Sequence, residues 1–397
     1  MKIVFLAPFG IRPKGTLQAR MLPLAQALQR RGHELVIIAP PYTNPEDAGL
    51  VELLGEVRLR NVQLGPTAGV LAAPFIAWRM LREALEQKPD LIHLFKPKGY
   101  GGLAAMALAG MRASGLKVPK LLIDSDDREG RGGMNELHPY SMPEKWLFAF
   151  QEERLTRWAD GVSVASRTLE SLAWSMGADQ NRTLYLPNGP LLRPDGDRQR
   201  GRKRFDIPAD APVLLLYTRF FEFSQQRLHS IVEQLCHRIP SLKLLVVGLG
   251  PQGEEKQLEQ AAIRGGFYKN LVSAGWVEPE LLPDCLAAAD AALYLFDDTL
   301  INRTKCPAKL AELAAASVPI VAERVGQIGE YLQHGVTALL VEPGDLQGMV
   351  ESLVQLLTDQ ELARRLGLAA SQRLRDDFNW DRAAERLEQF YYGLRRP

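Results

Sequence analysis

The sequence has few cysteines, no long apolar run and almost no net charge. Its three cysteines, Cys236, Cys285 and Cys306, are widely spaced and form no Cys-x-x-Cys motif, which argues against a disulfide framework or a zinc framework. No apolar run reaches the ~20 residues that cross a bilayer. The formal net charge of +1 argues against a protein that binds nucleic acid or another polyanion. Because Met1 leads directly into a predicted strand and leaves no room for a signal peptide, we expect a cytoplasmic protein.

Length and composition favour two globular domains. A chain of 397 residues exceeds one ordinary compact domain, and 46% hydrophobic with 24% charged residues is typical of soluble proteins. Short apolar strands alternate with segments of helical length in both halves, which predicts two parallel, doubly wound sheets. The stretch 190–212 is rich in proline, arginine and aspartate and lacks an apolar period, so it reads as the connection. We predict domains at 1–195 and 196–378, followed by a terminal helix within 379–397.

Each half of the chain contains six predicted strands. They are 3–7, 34–39, 90–94, 120–124, 161–165 and 182–186 in the first half, and 213–217, 242–247, 271–274, 291–295, 319–322 and 338–341 in the second. Ligands of such sheets bind outside the carboxyl ends of the strands. We therefore expect functional side chains immediately after these ranges.

The segment 302–345 carries the densest functional signals. Pro307 suits the first turn of a predicted helix, which ends at Ser-Val-Pro before a short strand. The loop Thr304-Lys305-Cys306 therefore leads into a helix N-terminus, where unpaired N–H groups and the positive dipole end favour phosphate. Lys305 adds a cation, and Glu312, further along the helix, offers a carboxylate to a sugar hydroxyl. This combination predicts a nucleotide-sugar pocket.

The order of motifs in this segment carries a family resemblance. Lys-Leu-x-Glu at 309–312, followed by Ala-Ser-Val-Pro-Ile-Val at 316–321, resembles the donor-site helix of GT-B glycosyltransferases, specifically the large retaining family 4. Gly326, Glu330 and the run 339–345 match the same series. The resemblance implies an α/β protein of the GT-B fold, in which two Rossmann-like, doubly wound domains face each other across a cleft. It also implies that the terminal helix crosses back to the first domain.

The same resemblance implies a function. The implied function is that of a retaining hexosyltransferase of carbohydrate biosynthesis. Such an enzyme moves a sugar from a UDP or GDP sugar to a glycan, lipid or small-molecule acceptor. We expect no metal or other cofactor. Two alternatives stay open, a nucleotide-sugar epimerase on the same fold and a non-catalytic nucleotide-sugar-binding protein. The apolar segment 70–85, with Arg79 and Arg82, is either a core-facing helix or a weak peripheral membrane contact.

The donor-side residues are implied by position in the family pattern. Glu312 matches the ribose-binding glutamate, and Arg219 matches a strand-end arginine that clamps the diphosphate. Thr304 stands where the family's first glutamate is expected. No lysine follows Arg219 within 223–227, so Arg227 or Lys305 would replace it. The other donor-binding candidates are Gly15, in a glycine loop of the first domain, Gly248 and Gly250, in a Gly-x-Gly-Pro turn, Cys306, Pro307, and Lys309, which could also pair only with Glu312.

The acidic run 124–127 follows an apolar strand of the first half and has three interpretations. It is an acceptor contact, a solvated acidic turn or a divalent metal site. Carboxylates accept hydrogen bonds from sugar hydroxyls and GT-B enzymes generally need no structural metal, so we expect acceptor contact. His93, at a strand end, is either an acceptor ligand or an ordinary polar residue. We assign catalytic roles to Arg219, Lys305 and Asp126, and acceptor-side roles to His93, Asp124 and Asp127.

Overall fold

The computed structural model of the protein describes residues 1–11, 17–65, 72–191 and 195–395. The chain divides into two compact units. Unit 1 comprises Met1–Asn188, Thr304–Cys306 and the segment from Trp380 onwards, and unit 2 comprises Gly189–Arg303 and Pro307–Asn379. The chain thus leaves unit 1 after Asn188, whereas the sequence analysis placed the boundary after residue 195. The short segment Thr304–Cys306 counts with unit 1 although both its neighbours along the chain belong to unit 2.

Strands and helices alternate along the described chain. The strands are β1 (Lys2–Leu6), β2 (Glu34–Ala39), β3 (Val51–Leu54), β4 (Val57–Asn61), β5 (Leu91–Phe95), β6 (Lys120–Ser125), β7 (Gly161–Val164), β8 (Thr183–Tyr185), β9 (Val213–Tyr217), β10 (Lys243–Val247), β11 (Leu271–Gly275), β12 (Ala291–Tyr294), β13 (Ile320–Glu323) and β14 (Leu339–Val341). The helices are α1 (Leu22–Arg30), α2 (Ala73–Glu86), α3 (Gly99–Ala113), α4 (Met142–Trp158), α5 (Arg167–Ser175), α6 (Arg198–Arg204), α7 (Gln225–Arg238), α8 (Glu254–Arg264), α9 (Leu282–Ala287), α10 (Leu300–Thr304), α11 (Ala308–Ala315), α12 (Ile328–Tyr331), α13 (Leu346–Thr358), α14 (Gln360–Asp377) and α15 (Trp380–Arg395).

Unit 1 is built on an eight-stranded sheet in the order β3-β4-β2-β1-β5-β6-β7-β8. Its pairings are parallel except for the antiparallel pair β3–β4. Because side chains alternate between the faces of a strand, Phe5 packs with Leu28 of α1 and Tyr391 of α15, whereas Leu6 packs with Met80 of α2 on the other face. Helices therefore cover both faces of the sheet, as in other doubly wound folds.

Unit 2 contains a parallel six-stranded sheet in the order β11-β10-β9-β12-β13-β14. Leu214 and Leu216 of β9 pack against Leu228 of α7 and Leu353 of α13 in a buried core. The strand order reverses between β9 and β12 in this sheet and between β1 and β5 in unit 1. Such reversal points open crevices at the carboxyl ends of the strands, where ligands bind.

The structure confirms the predicted two doubly wound α/β domains, and a strand lies at each predicted range. It differs in detail elsewhere. The hairpin β3–β4 was not predicted, and one π-helical turn, Leu17–Met21, directly precedes α1. Pro23 lies in the first turn of α1, where its missing N–H removes no helical hydrogen bond. In the described ranges no helix combines the length and the hydropathy required to cross a membrane.

Candidate functional site

The reversal point of unit 2 brings the predicted donor residues of that unit to one edge of the sheet. Tyr217 ends β9 and is followed by Thr218 and Arg219, while Gly248 follows the neighbouring strand β10. Gly248 has a φ of +122°, and a Cβ built on it would lie 1.9 Å from the carbonyl oxygen of Thr218. Only glycine fits this close approach of two strand ends. The predicted glycine turn therefore lies beside the residues that follow β9.

Glu312 is a buried residue at the same edge of the sheet, next to the end of β9. It projects from α11 and is only 8% exposed. The hydroxyl of Tyr217 donates a hydrogen bond to its Oε2 at 3.1 Å, which links α11 to the end of β9. Glu312 also lines a cavity of about 270 Å³ together with Leu191, Pro283 and Arg375. A buried carboxylate that is oriented by a tyrosine and reaches a cavity is suited to binding a hydroxyl-bearing ligand.

Lys309 lies one turn before Glu312 on the same helix. Its Nζ is 3.5 Å from the centroid of the Tyr217 ring, a cation–π contact. Burial lowers the pKa of Lys309 to about 8, although the neighbouring charge of Glu312 opposes this shift. Lys309, Arg219 and Glu222 line one depression at the end of β9. The structure thus places two cations, Arg219 and Lys309, at the strand end where a diphosphate is expected.

Arg219 and Arg227 differ in how far they are committed to protein partners. The Arg219 side chain is 55% exposed, and its Nη2 lies 3.3 Å from Oε1 of Glu222. The Nη2 of Arg227 instead lies 2.6 Å from Asp297 and 2.9 Å from Glu323, and its side chain is 17% exposed. Arg227 is therefore engaged in an internal ion cluster, and we withdraw it as a substitute for the missing family lysine. Lys309 takes that place as the better candidate.

The segment Thr304–Cys306 is held by hydrogen bonds within unit 1. The hydroxyl of Ser166 donates to the carbonyl of Thr304 at 2.8 Å. Asn188 donates its backbone N–H to Sγ of Cys306 and its side-chain amide to the carbonyl of Cys306, both at 3.1 Å. Lys305, between them, is 6% exposed. That Lys305 and Arg219 bind the same diphosphate stays a prediction, and so do the donor-binding roles of Thr304 and Cys306.

Pro307 and Gly250 are two further donor candidates of unit 2. Pro307 directly precedes α11, with φ −74° and ψ 101°, so α11 begins where the proline was expected to start it. Gly250 lies in the turn after β10, close to Glu254, whose Oε2 would be 2.1 Å from an added Cβ. Gly15 lies outside the described residues.

His93 and Asp124 lie in the interior of unit 1, which corrects their predicted acceptor-side contact. Both side chains are 0% exposed. Nδ1 of His93 is 2.7 Å from the hydroxyl of Tyr391, and Nε2 is 3.2 Å from the hydroxyl of Ser163. Burial lowers the pKa of His93 to about 4, against the opposing charge of Asp124. Neither side chain has an exposed atom with which to touch an acceptor in this structure.

Asp126 and Asp127 occupy a different environment. Nζ of Lys96 lies 2.8 Å from Asp126, 2.5 Å from Asp127 and 3.1 Å from Glu129, and Lys98 also pairs with Glu129. Burial raises the pKa of Asp126 to about 6, although the charge of Lys96 opposes this. The side chains of Asp126 and Asp127 keep 13% and 23% exposure. They remain candidates for acceptor contact at the carboxyl end of β6, next to the reversal point of unit 1.

The carboxylates of Asp126, Asp127 and Glu129 are close enough together to hold a metal ion. The ammonium group of Lys96 already lies among them and supplies positive charge there. Lys96 has a φ of +55°, a strained conformation for a lysine, in which it reaches this cluster from the end of β5. Sequence reasoning missed Lys96 and Tyr217. In both cases the available signal was a polar side chain at or directly after an apolar strand.

Comparison with known proteins gives consistent matches over both units. The model of the Glycosyl transferase 4-like domain matches residues 15–189, and that of the Glycosyl transferases group 1 matches residues 211–359. The chain is 26% identical over 372 residues to a GDP-mannose-dependent alpha-(1-6)-phosphatidylinositol monomannoside mannosyltransferase of Mycolicibacterium smegmatis, covering 92% of each chain.

Solved structures show the same fold. Sucrose-phosphate synthase from Thermosynechococcus elongatus is similar with a TM-score of 0.74 at 20% identity, over 99% of both chains. Anabaena HepE in complex with UDP and glucose is similar with a TM-score of 0.72 at 18% identity, over 98% of both chains.

Proposed function

Since the chain belongs to the GT-B glycosyltransferases, with a 4-like domain followed by a group 1 domain, we propose that it transfers a hexose from a UDP or GDP sugar with retention of configuration. The observation that supports the donor site is the hydrogen bond between Tyr217 and Glu312 beside the cations Arg219 and Lys309. A carboxylate for ribose and two cations for a diphosphate are thereby joined on one edge of unit 2.

Each donor residue has one physical task in this proposal. Glu312 accepts hydrogen bonds from the ribose hydroxyls, and Tyr217 holds its carboxylate in place. Arg219 and Lys309 stabilise the diphosphate as it gains charge, which is the largest contribution a protein usually makes to such a reaction. Lys305 adds a third cation to the same task. Arginine can bind two phosphate oxygens at once, whereas lysine acts as a point charge.

The transfer step balances without a cofactor. The bond between the anomeric carbon and the phosphate oxygen breaks, and the electron pair leaves with the nucleoside diphosphate. The acceptor hydroxyl oxygen bonds to the same carbon on the face that the phosphate left, so the configuration is retained. The hydroxyl proton passes to the departing phosphate oxygen. We assign Asp126 and Asp127 to hold the hydroxyls of the acceptor.

The relatives suggest which ligands to test first. By its name, the mycobacterial relative uses GDP-mannose and a phosphatidylinositol mannoside, and HepE was solved with UDP and glucose. The first experiment measures the melting temperature with UDP, GDP, UDP-glucose and GDP-mannose, because a ligand that binds only the folded state stabilises it by about 2.7 kcal/mol at one hundred times its Kd. Stabilisation by one nucleotide and its sugar is expected.

Product analysis then separates the alternatives. Incubation of the stabilising, radiolabelled donor with an acceptor panel that includes phosphatidylinositol mannoside should transfer the label to an acceptor. Conversion of the donor to another nucleotide sugar without an acceptor would identify an epimerase. Binding without hydrolysis, transfer or epimerisation would identify a non-catalytic binding protein. The Glu312→Gln variant is the control for donor-dependent product.

A further inference from the structure

One helical layer of unit 1 carries large exposed aromatic side chains. Helices α2, α3 and α4 follow one another on the same face of the sheet, since Met80, Leu108 and Leu155 share one buried core. On the outer side of this layer, Phe75 and Trp78 of α2 are 61% and 55% exposed. The outer side of α4 exposes Met142, Trp146, Phe150 and Trp158. Three of the six tryptophans of the chain therefore lie exposed on this outer layer.

The exposed residues form stripes at helical spacing. Met142, Trp146 and Phe150 follow one another every four residues, so they lie along one face of α4. The guanidinium of Arg154 continues this stripe and lies 5.4 Å from the centroid of the Phe150 ring. On α2, Phe75 and Trp78 are three residues apart and share a face in the same way.

Helix α2 therefore has two different faces. Its inner face buries Ile76, Met80 and Leu81 in the core of unit 1. Its outer face presents Phe75 and Trp78. The sequence left two alternatives for this segment, a core-facing helix and a membrane contact. The inner face of α2 is core-facing, and its outer face is exposed and can contact a membrane.

The exposed charges of α2, α3, α4 and the segments that flank them along the chain are mainly positive. In the described part of 72–160, the exposed cations are Arg82, Lys88, Lys117, Lys120, Arg131, Arg154 and Arg157, and the exposed carboxylates are Glu86, Glu136 and Glu153. Between the two aromatic helices, α3 exposes the small uncharged residues Ala107 and Gly110. A symmetric dimer through this layer would bring like charges together, which disfavours a second copy as the partner.

We propose that the outer layer formed by α2, α3 and α4 docks on an anionic lipid bilayer. Tryptophan is enriched at membrane–water interfaces, where its apolar ring and its N–H are both satisfied. Trp78, Trp146 and Phe150 enter the headgroup region, while Arg82, Arg154 and Arg157 contact lipid phosphates with their stems along the apolar surface. This inference does not depend on the proposed sugar transfer, because binding to lipid is measured without a substrate.

Vesicle flotation tests the proposal. Wild-type protein is mixed with phosphatidylcholine vesicles, with or without phosphatidylglycerol, and the bound fraction is measured along with the tryptophan emission maximum. We expect binding to the anionic vesicles, a blue shift, and weaker binding at high salt. The double variant Trp146→Ser/Phe150→Ser should bind these vesicles at least roughly tenfold more weakly than the wild type, since it removes two apolar anchors. Arg154→Glu/Arg157→Glu should lose the preference for phosphatidylglycerol.

Trp276→Ser is the matched control, because Trp276 is 73% exposed but lies in unit 2. It should bind vesicles as the wild type does. All variants change exposed residues, so far-UV circular dichroism and melting temperature should stay at wild-type values. The proposal is overturned if the wild-type protein binds neither the vesicles with phosphatidylglycerol nor those without it. A concentration-dependent dimer in size-exclusion chromatography that disappears in the Trp146→Ser/Phe150→Ser variant would also overturn it, in favour of self-association.

Discussion

Arg20 and Asp124 form a bidentate ion pair in the interior of unit 1. Nε of Arg20 lies 2.7 Å from Oδ1 of Asp124, and Nη2 lies 2.7 Å from Oδ2. Arg20 also donates to Asn188 and to the carbonyl of Leu186, and Asp124 accepts from the hydroxyl of Ser163 at 2.5 Å. Burial alone would raise the pKa of Asp124, but the charge and hydrogen bonds of Arg20 outweigh it and lower that pKa.

Replacing Arg20 with methionine should therefore destabilise unit 1 strongly. The substitution leaves the charge of Asp124 buried and uncompensated, which costs about 3–5 kcal/mol. Urea unfolding followed by circular dichroism measures the loss. Arg30→Met is the matched control, because the pair Arg30–Asp381 is exposed on both sides and should contribute less than about 1 kcal/mol. An equal effect of the two substitutions would contradict the internal role of Arg20.

His93 should make unit 1 sensitive to mild acid. Its pKa is lowered from 6.5 to about 4 in the folded state by burial, against Asp124, while the nearby charge of Arg20 lowers it further. Between pH 6.5 and pH 4 the unfolded chain binds a proton at this histidine and the folded chain does not. The contribution of His93 to the free energy of unfolding is therefore fully present above pH 6.5 and is lost as the pH falls to 4. The total loss is roughly 3 kcal/mol at 1.36 kcal/mol per pH unit.

The measurement is the free energy of unfolding between pH 7 and pH 4 for the wild type and for His93→Gln. Glutamine can still donate to one partner and accept from the other, but it does not titrate. The variant should start at a lower stability and show a shallower slope over this range. A wild-type slope that persists unchanged in His93→Gln would assign the acid sensitivity to other groups.

The fold and the location of candidate side chains at the strand ends of unit 2 could be predicted from the sequence, because both depend on local patterns. Apolar runs of strand length alternate with helical segments, and Glu312 has a fixed spacing before the strand-opening Pro319. Sequence reasoning failed where contacts join distant residues. The sequence offers no local sign that Arg20 pairs with Asp124, 104 positions away, or that Lys96 lies among the carboxylates of Asp126, Asp127 and Glu129.

The same limit explains the reassignment of His93. A histidine at the end of an apolar strand has the same local pattern whether its side chain faces a cleft or the core. Only the packing of α15, which brings Tyr391 to Nδ1, decides that the ring is enclosed. Arg227, which the sequence offered beside Lys305 as a substitute for the family lysine, was likewise withdrawn because it pairs with Asp297 and Glu323.

Glu312→Gln should weaken nucleotide binding, because the proposed ribose contact loses a charged acceptor. The expected loss is about 1–3 kcal/mol, and Tyr217→Phe, which removes the hydroxyl that orients the carboxylate, should lose about 0.5–1.5 kcal/mol. Titration calorimetry with the nucleotide that stabilises the wild type measures both. Glu351→Gln is the control, since Glu351 lies exposed on α13 of the same unit. Wild-type affinity in Glu312→Gln would remove this residue from the donor site.

Lys309 should give donor binding a pH dependence. Its pKa of about 8 means that the free enzyme loses this positive charge as the pH rises from 7 to 9, whereas a bound diphosphate would hold the proton. Affinity should consequently fall above pH 8, by roughly up to tenfold per pH unit. Lys309→Arg keeps its charge throughout this range and should flatten the profile. A flat wild-type profile, or an unchanged slope in Lys309→Arg, would exclude Lys309 from the diphosphate site.

Lys96 supplies the positive charge among Asp126, Asp127 and Glu129 that a metal ion would otherwise bring, with Nζ within 3.1 Å of all three carboxylates. A divalent cation would have to displace this ammonium group and repel Lys98, which pairs with Glu129 as well. On the donor side, the proposed function assigns the charge for the leaving diphosphate to the cations Arg219, Lys305 and Lys309. We therefore expect transfer to continue at the wild-type rate after treatment with EDTA.

The acidic residues should instead act on the acceptor. Asp126→Asn and Asp127→Asn remove charge without changing side-chain size, and each should raise the KM for the acceptor by roughly tenfold while the Kd of the nucleotide changes little, as for a lost charge-assisted hydrogen bond. Asp298→Asn is the control, because Asp298 is exposed and its carboxylate pairs with Arg303 of α10. Loss of transfer in EDTA with recovery on addition of magnesium or manganese would show that the cluster binds a metal despite Lys96, and a parallel loss of nucleotide affinity in Asp126→Asn would place that metal at the donor.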